Sequence, residues 1–340
     1  MSESARLDLI LKSVIGVVVA AIVLVGGYFG YTVYQDRITA EDATPALRLI
    51  KVLKQQVRKS PNDVVLRVRL GEALATAHKE QEAVAQLNEA LKLQPDHTGA
   101  LLDLGQLALI DRNPSVAESY FKKVVDVSGK SEYKEVNQRR ESALYQLGRI
   151  SLSKKDYPGA AGYFKEALRI RNDASDTYFY LAMTFDKMGE RDEAEKQLRT
   201  ALAFDPHFGQ ARYYLGTLLV QDGDKVAASY EFAEAVKADP KQPEPKQALA
   251  ALGNSADLVA KANQQLKNDD LDGAYDSIQI AVNVDPENLN AVKLAAQIIR
   301  QKGDKKAALQ GFKRVLELEP NDAEAKAAVK QLEAATKKKS

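Results

Sequence analysis

The sequence returns to one apolar pattern at intervals of 34 residues, and this period constrains the fold more than any other feature. A small residue after leucine is followed twelve positions later by alanine and sixteen positions later by a large apolar residue, as in Gly71, Ala83 and Leu87. The copies begin at residues 64, 98, 141, 175, 209, 255 and 289, and four of the six intervals are 34. Such a period indicates one supersecondary unit repeated along the chain.

Each copy has the features of two antiparallel helices joined by a turn. The chain is rich in Ala, Leu, Lys, Glu and Gln, which favour helix. Gly189, Gly223 and Gly303 suit the left-handed backbone at the end of a first helix, and prolines end the second. Neither helix can bury its apolar side alone, so the copies must stack. N-caps of the next first helix, after a second helix has ended, are predicted at Asn62, Asp96, Asp173, Asn288 and Asn321.

The pattern resembles the tetratricopeptide repeat, whose unit is a helix–turn–helix of 34 residues. The resemblance covers residues 64–322 in seven copies, although the chain lacks the tryptophan that is usual near the fourth position. It implies an all-α fold, an α-solenoid of about seven units with capping helices, in which the first helices line a concave groove.

Two intervals are longer than 34 residues, and the second would divide the repeats into a block of five units and a block of two. Nine extra residues precede the third copy, near 128–140, and twelve precede the sixth, near a Pro-rich stretch. Thr44 and Pro45 open an amphipathic helix ahead of the first copy. The predicted organisation is a linker and capping helix at 36–63, units one to five at 64–242, an insertion at 243–254, units six and seven at 255–322, and a capping helix with a basic tail at 323–340.

The segment 13–35 holds no charged residue and contains the apolar run from Val14 to Val25. Its 23 residues would reach roughly 34 Å as a helix, enough to cross a bilayer core of about 30 Å. A cleavable signal peptide would have a shorter apolar run and small residues at a cleavage site. We therefore expect a short tail at residues 1–12, followed by a retained transmembrane helix that contacts lipid. Aromatic residues gather at its exit: Tyr28, Phe29, Tyr31 and Tyr34.

Charges around this segment bear on its orientation. Arg6 and Lys12 precede it, whereas Arg37 is the only base directly after it, which favours a cytoplasmic N-terminus with the repeats on the outer side. Counting as far as residue 54 adds three more bases and reverses the bias, so the opposite orientation stays open. Gly26 and Gly30 form a GxxxG pair, which would allow two such helices to self-associate.

No pattern in the chain points to catalysis, a cofactor or a metal. There is no cysteine, and the three histidines fall at turns without metal-ligand spacing. The stretch from Asn268 to Gln279 approaches a calcium-loop pattern, but amides replace the carboxylates at both ends and the repeat register requires helix there. A net charge of +1 provides no field that would attract nucleic acid. The sequence predicts a non-enzyme that does not bind nucleic acid.

Aromatic residues are concentrated in the middle copies. Of 23 aromatic residues, 12 lie between Tyr145 and Tyr214. In the family that the chain resembles, the fifth, sixth and ninth positions of first helices point into the groove. Rings, an arginine and a methionine there are typical of interface hot spots. Copies three to five place nine residues at these positions: Tyr145, Gln146, Arg149, Phe179, Tyr180, Met183, Tyr213, Tyr214 and Thr217. The alternative is that some of these rings pack between helices.

The resemblance also raises the carboxylate clamp, with which some members of this family hold the C-termini of chaperones. That clamp requires lysine at the fifth and asparagine at the ninth position of one unit, with matching groups in the next two. The first copies hold Val68 and Glu72 there, and only the seventh offers Lys293 with Gln297. The sequence therefore predicts no clamp.

These features together favour a membrane-anchored scaffold or adaptor that binds partner proteins, or peptide segments of them, in its groove and recruits or assembles them at the membrane. The alternative is a structural subunit that is permanently packed in a larger membrane complex.

Deleting residues 1–40 should release a soluble, mainly helical protein, because the repeats bury their own core. Membrane fractionation and circular dichroism measure both properties. A truncated chain that unfolds, or that stays with the membrane fraction, would contradict the two-part organisation.

Overall fold

The structure, a computed structural model, describes residues 22–33, 44–133 and 136–337, and helices dominate all three ranges. Beyond the helical stretch at 22–33, seventeen helices run from Pro45 to Lys337, and the described residues contain no strand. The boundary between two compact units lies between Ala143 and Leu144. The prediction of an all-α repeat fold is confirmed.

From residue 44 onward, the first unit contains one unpaired helix followed by two helical hairpins. Thr44 caps α1 by accepting a hydrogen bond from the Leu47 amide, and Pro45 occupies its first turn. Ile50, Leu53 and Val57 of α1 pack into the core that the first hairpin forms. The elements are α1 (Pro45–Lys59), the hairpin α2 (Val64–Thr76) with α3 (Glu80–Leu93), the hairpin α4 (Thr98–Ile110) with α5 (Pro114–Gly129), and the start of α6 (Gln138–Ser153).

The second unit begins within α6 and continues through further hairpins to a final helix. The first helices α8, α10 and α15 each pack on the second helix of their own hairpin and on that of the preceding one, as α8 does on α9 and α7. After the insertion, α13 packs on α14, and it is α14 that contacts the preceding second helix α11. The helices are α7 (Tyr157–Ile170), α8 (Ser175–Met188), α9 (Arg191–Phe204), α10 (Gly209–Gln221), α11 (Lys225–Ala238), α12 (Pro243–Ala251), α13 (Ser255–Lys267), α14 (Leu271–Val284), α15 (Leu289–Gln301), α16 (Lys305–Leu318) and α17 (Ala323–Lys337).

Within a hairpin, the two helices approach closely where a small residue of the first helix faces a large buried side chain of the second. The sequence places these partners sixteen positions apart, and the structure brings them into contact with the large side chain fully buried. A Cβ atom at the glycine would lie only 2.5–2.6 Å from the ring in three hairpins: Gly105 with Phe121, Gly148 with Phe164, and Gly216 with Phe232.

The small residue is alanine instead of glycine in some hairpins, although Gly71 also faces a leucine, Leu87. Alanine replaces glycine at Ala182 and Ala262, where the residue sixteen positions later is the smaller Leu198 or Ile278. The last hairpin keeps a ring but moves its glycine to the second helix, where a Cβ atom at Gly311 would lie 2.9 Å from the Cβ of Ala296. Every one of these close helix contacts thus contains at least one glycine or alanine.

The turns inside the hairpins require a left-handed residue. Gly189, Gly223 and Gly303 adopt φ of +81°, +88° and +91°, as the sequence indicated. The other four hairpins place a side chain in this backbone region, at His78, Arg112, Lys155 and Asp269, with φ between 54° and 63°.

The N-caps of several first helices lie one residue later than predicted. Asp63, not Asn62, accepts a hydrogen bond from the Leu66 amide at 3.0 Å. The reason is the preceding turn, in which the Asp63 amide donates to the Ser60 carbonyl and so places residue 62 inside the turn. The same shift moves the cap from Asp96 to His97, from Asp173 to Ala174 and from Asn321 to Asp322, whereas Asn288 caps α15 as predicted.

The Pro-containing insertion forms a helix. Pro243 lies in the first turn of α12, where its missing amide hydrogen costs no intrahelical hydrogen bond. Pro245 and Leu249 of this helix are buried, and α12 packs on α11 and α14. The insertion therefore lies inside the second unit.

The predicted transmembrane segment is described only at residues 22–33, which are helical with exposed apolar side chains. Among the described residues, no helix has both the length and the apolar character that a membrane span requires. Residues 13–21 and 34–35, the tail at 1–12 and the flanking charges at Arg6, Lys12 and Arg37 lie outside the described residues. Nothing lies within 4 Å of a Cβ position at Gly26 or Gly30, and their self-association stays a prediction.

Gly148→Ala should destabilise the second unit by about 1–3 kcal/mol, because its methyl group would overlap the buried Phe164 ring. Gly162 in α7 of the same hairpin is the matched control, since nothing lies within 4 Å of its Cβ position. Gly162→Ala should leave stability unchanged or raise it by up to about 1 kcal/mol. Hydrogen exchange of the α7 and α8 amides measures both effects, and equal protection in the two variants would exclude the close approach.

Candidate partner-binding groove

The nine predicted groove residues lie on α6, α8 and α10, the first helices of three successive hairpins, and all belong to the second unit. We refer to these nine residues as the candidate groove. Arg149 is exposed and Phe179 is buried with 8% of its surface accessible. The other seven are partly buried, as side chains at the edge of a core are.

Tyr145, Arg149 and Tyr180 form one cluster across α6 and α8. The rings of Tyr145 and Tyr180 meet edge to face with centroids 5.7 Å apart. The Arg149 guanidinium carbon lies 5.7 Å from the first centroid and 5.2 Å from the second, within the range of a cation–π contact. The Tyr180 ring also stacks on buried Phe164, at 6.0 Å. The cluster is therefore supported by the core beneath it.

The Tyr145 hydroxyl is held as a hydrogen-bond donor. Burial raises its pKa well above the usual range, and the negative charge of Asp176 adds to the shift. The neutral hydroxyl donates to the Asp176 carboxylate, which also lies 3.8 Å from the Arg171 guanidinium. Asp176 is thus already engaged by two groups of its own chain.

Phe179 and Tyr214 join α8 to α10. Their rings meet edge to face with centroids 6.0 Å apart, and Phe208 packs 5.2 Å from Phe179. The Tyr214 hydroxyl donates to Asp186 Oδ2 at 2.7 Å, and burial followed by this hydrogen bond raises its pKa well above the usual range. Asp186 is therefore engaged as well, and these two rings contribute to packing between the helices.

The remaining candidate residues line the same helices without forming a further polar cluster. Tyr213 packs on Phe232, with centroids 5.8 Å apart, and the Thr217 hydroxyl donates to the Tyr213 carbonyl at 2.9 Å. Met183 packs against the same core as a partly buried side chain. Gln146 accepts a hydrogen bond from Arg149 at 3.4 Å.

Lys293 and Gln297 bind carboxylates of their own chain. Lys293 Nζ lies 2.8 Å from Asp322 Oδ2 and 3.1 Å from Glu324 Oε2, and Gln297 donates to Glu324 at 2.7 Å. These hydrogen bonds raise the pKa of Lys293. Both acids belong to the start of α17, so the final helix occupies the positions at which a clamp would hold a ligand.

Sequence reasoning missed Asp103, which lies at the sixth position of the second copy, in the first unit. Its Oδ2 atom is buried and has no hydrogen-bond partner among the described residues. Burial raises the pKa of this carboxyl to about 6, and the charge of Glu72 contributes in the same direction. An acid between Leu102 and Leu104 is the sequence feature that could have revealed it.

The described residues contain no group of three or more His, Cys, Asp or Glu side chains that could hold a metal ion. What the candidate groove offers is rings, hydroxyls and one exposed guanidinium. Its geometry is that of stacked helical hairpins whose first helices carry these side chains.

Comparison with known proteins agrees with this class. One family model described as tetratricopeptide repeat matches residues 68–132 and 181–243, and a second of the same description matches residues 151–207. The chain therefore contains tetratricopeptide repeats, a fold that is generally non-catalytic and used for protein–protein interaction.

Two curated human proteins are similar to a large part of this chain. Protein O-mannosyl-transferase TMTC3 is 23% identical over 286 residues, 82% of this chain and 29% of its own length. Protein O-mannosyl-transferase TMTC1 is 24% identical over 225 residues, 66% of this chain and 24% of its own length. The chain thus spans less than a third of either relative.

Among solved structures, YrrB, described as a TPR protein with an unusual peptide-binding site, is 18% identical with a TM-score of 0.48. The match covers 58% of this chain and 96% of YrrB.

Asp103→Asn should remove a pH dependence from the first unit. Because the folded-state pKa lies above the usual 3.8, the free energy of unfolding should fall as pH rises from about 4 to about 6. The variant should therefore match the wild type at pH 4 and exceed it by about 1–2 kcal/mol at pH 7. Urea denaturation at both pH values measures this. Asp96→Asn, at an exposed turn residue, is the control. An identical pH profile for wild type and Asp103→Asn would contradict the prediction that Asp103 causes the pH dependence.

Proposed function

We propose that this protein is a membrane-anchored scaffold that binds partner proteins through the candidate groove and assembles them at the membrane. The observation that carries the proposal is the ring cluster of Tyr145 and Tyr180 with Arg149 above it, on first helices of successive repeats. Aromatic and arginine side chains of this kind contribute most of the affinity at protein interfaces.

The rings are suited to reversible binding. Tyr180 and Tyr213 rest on Phe164 and Phe232 on one side and remain partly accessible on the other. A bound segment would bury that accessible area, while the core beneath holds the rings in place before binding. Rings that are already ordered lose little conformational entropy when a partner arrives.

The anchor belongs to the proposal through the apolar segment 13–35. Confinement at a membrane raises the local concentration of the groove for partners in the same membrane. The likeness to two O-mannosyl-transferases is confined to less than a third of their length, so the proposal assigns no transferase chemistry to this chain.

Tyr180→Ala combined with Tyr213→Ala should weaken partner binding by about 1–3 kcal/mol per ring. Partners would be crosslinked and pulled down from membranes with the full-length chain, and their binding compared between variants. Tyr178→Ala is the matched control, because Tyr178 lies on α8 but stacks on Phe204 instead, at 5.8 Å. It removes the same side chain at a similar packing cost and should leave binding intact.

If the double variant captured the same partners at wild-type affinity, partner binding at the candidate groove would be contradicted. Loss of binding in the Tyr178→Ala control as well would indicate damaged packing instead.

The permanent-subunit alternative is favoured by two rings on second helices, Phe204 and Tyr230, which are 49% and 50% exposed. Partners that resist release after detergent extraction and depend on Phe204 would support that alternative.

A further inference from the structure

Among the described residues, exposed Arg149 has no acidic partner, unlike the more buried Arg212 of the same unit. Arg212 is paired with Glu231 at 2.8 Å, and both side chains are nearly buried. The contacts of Arg149 in the described residues are the Tyr145 and Tyr180 rings and a long hydrogen bond to Gln146. It is an exposed cation whose contacts among the described residues are two rings and one amide oxygen, with no carboxylate.

The acids of the neighbouring helices are already engaged elsewhere. Asp176 accepts from Tyr145 and lies near Arg171, and Asp186 accepts from Tyr214 and lies 3.5 Å from Lys187. Neither is in an ion pair with Arg149. The groove thus satisfies its own carboxylates and leaves its guanidinium available.

A guanidinium above aromatic rings keeps its hydrogen-bond donors in its own plane. A guanidinium in a cation–π contact can therefore still donate from these in-plane N–H groups to a planar acceptor. Carboxylates accept two parallel hydrogen bonds from such an edge, and the geometry is more selective than that of a lysine ammonium. Because the rings restrain the side chain, little rotamer freedom remains to be lost on binding.

We propose that the segment bound in the candidate groove carries an Asp or Glu side chain whose carboxylate accepts hydrogen bonds from Arg149, next to an apolar side chain that packs on Tyr180. This assignment of the ligand's chemistry rests on the proposed function of the groove. It names an internal acidic side chain because Lys293 and Gln297, the clamp-like positions for a terminal carboxylate, are closed by Asp322 and Glu324.

The test uses the full-length chain in detergent micelles and a phage-displayed library of random dodecapeptides. Peptides that wild type enriches should contain Asp or Glu beside an apolar residue. One labelled peptide and its Glu→Gln or Asp→Asn mate are then compared by fluorescence anisotropy. Arg149→Gln should weaken the acidic peptide by at least about tenfold and leave its neutral mate unchanged.

Charge reversal sharpens the assignment. Arg149→Glu should reject the acidic peptide and favour a Lys-substituted mate. Arg169→Gln is the matched control, since Arg169 is exposed on α7 of the same hairpin and loses the same charge. It should bind the acidic peptide as wild type does, and added salt should weaken binding only where Arg149 is present.

The outcomes separate this inference from the proposed function. If the enriched peptides lack acidic residues and their binding still depends on Tyr180 and Tyr213, the carboxylate assignment is wrong, but binding at the candidate groove is supported. If peptide enrichment does not change when both tyrosines are replaced, the proposed binding at the candidate groove is wrong. An equal loss with Arg149→Gln and Arg169→Gln would show a general effect of net charge and overturn the assignment.

Discussion

The contact between a minimal residue on one helix and a large side chain sixteen positions later sets the spacing of every hairpin. Gly148 and Phe164 show the constraint most clearly, because the ring lies where a single methyl group would otherwise be. Dispersion and apolar burial at this contact fix how close the helices lie, and hence where the neighbouring hairpin can pack. The rest of the second unit, including the positions of the candidate groove side chains, follows from that distance.

The candidate groove and the core beneath it are therefore packed against each other through shared side chains. Phe164 fills the space beside Gly148 and also carries the Tyr180 ring, which in turn supports Arg149. A substitution at Gly148 would therefore displace the Arg149 guanidinium through Phe164 and Tyr180. Binding and stability in this region share the same side chains, which is why matched control residues on the same helices are needed to separate them.

Most of the helical framework could be predicted from the sequence, because it depends on local spacing. The small residues, their large partners and the left-handed glycines are read from fixed intervals, and Gly223 adopts the expected backbone. What escaped prediction depends on neighbours in space. The cap at Asp63 depends on the turn before it, the burial of Phe179 on the Phe208 ring beside it, and the engagement of Lys293 on how α17 approaches. The side chain of Asp103 was missed for the same reason.

The way α17 closes the last hairpin has a consequence for assembly. Ala325, Ala328 and Leu332 cover the apolar face of α16, and the carboxylates of Asp322 and Glu324 neutralise Lys293 at its edge. A repeat whose outer face stayed uncovered would offer a second molecule the same surface that each unit offers its successor, and head-to-tail fibres would grow. The last described helix supplies both the apolar cover and the counter-charges from the same chain, so this face of α16 is already occupied and is not offered to a second molecule.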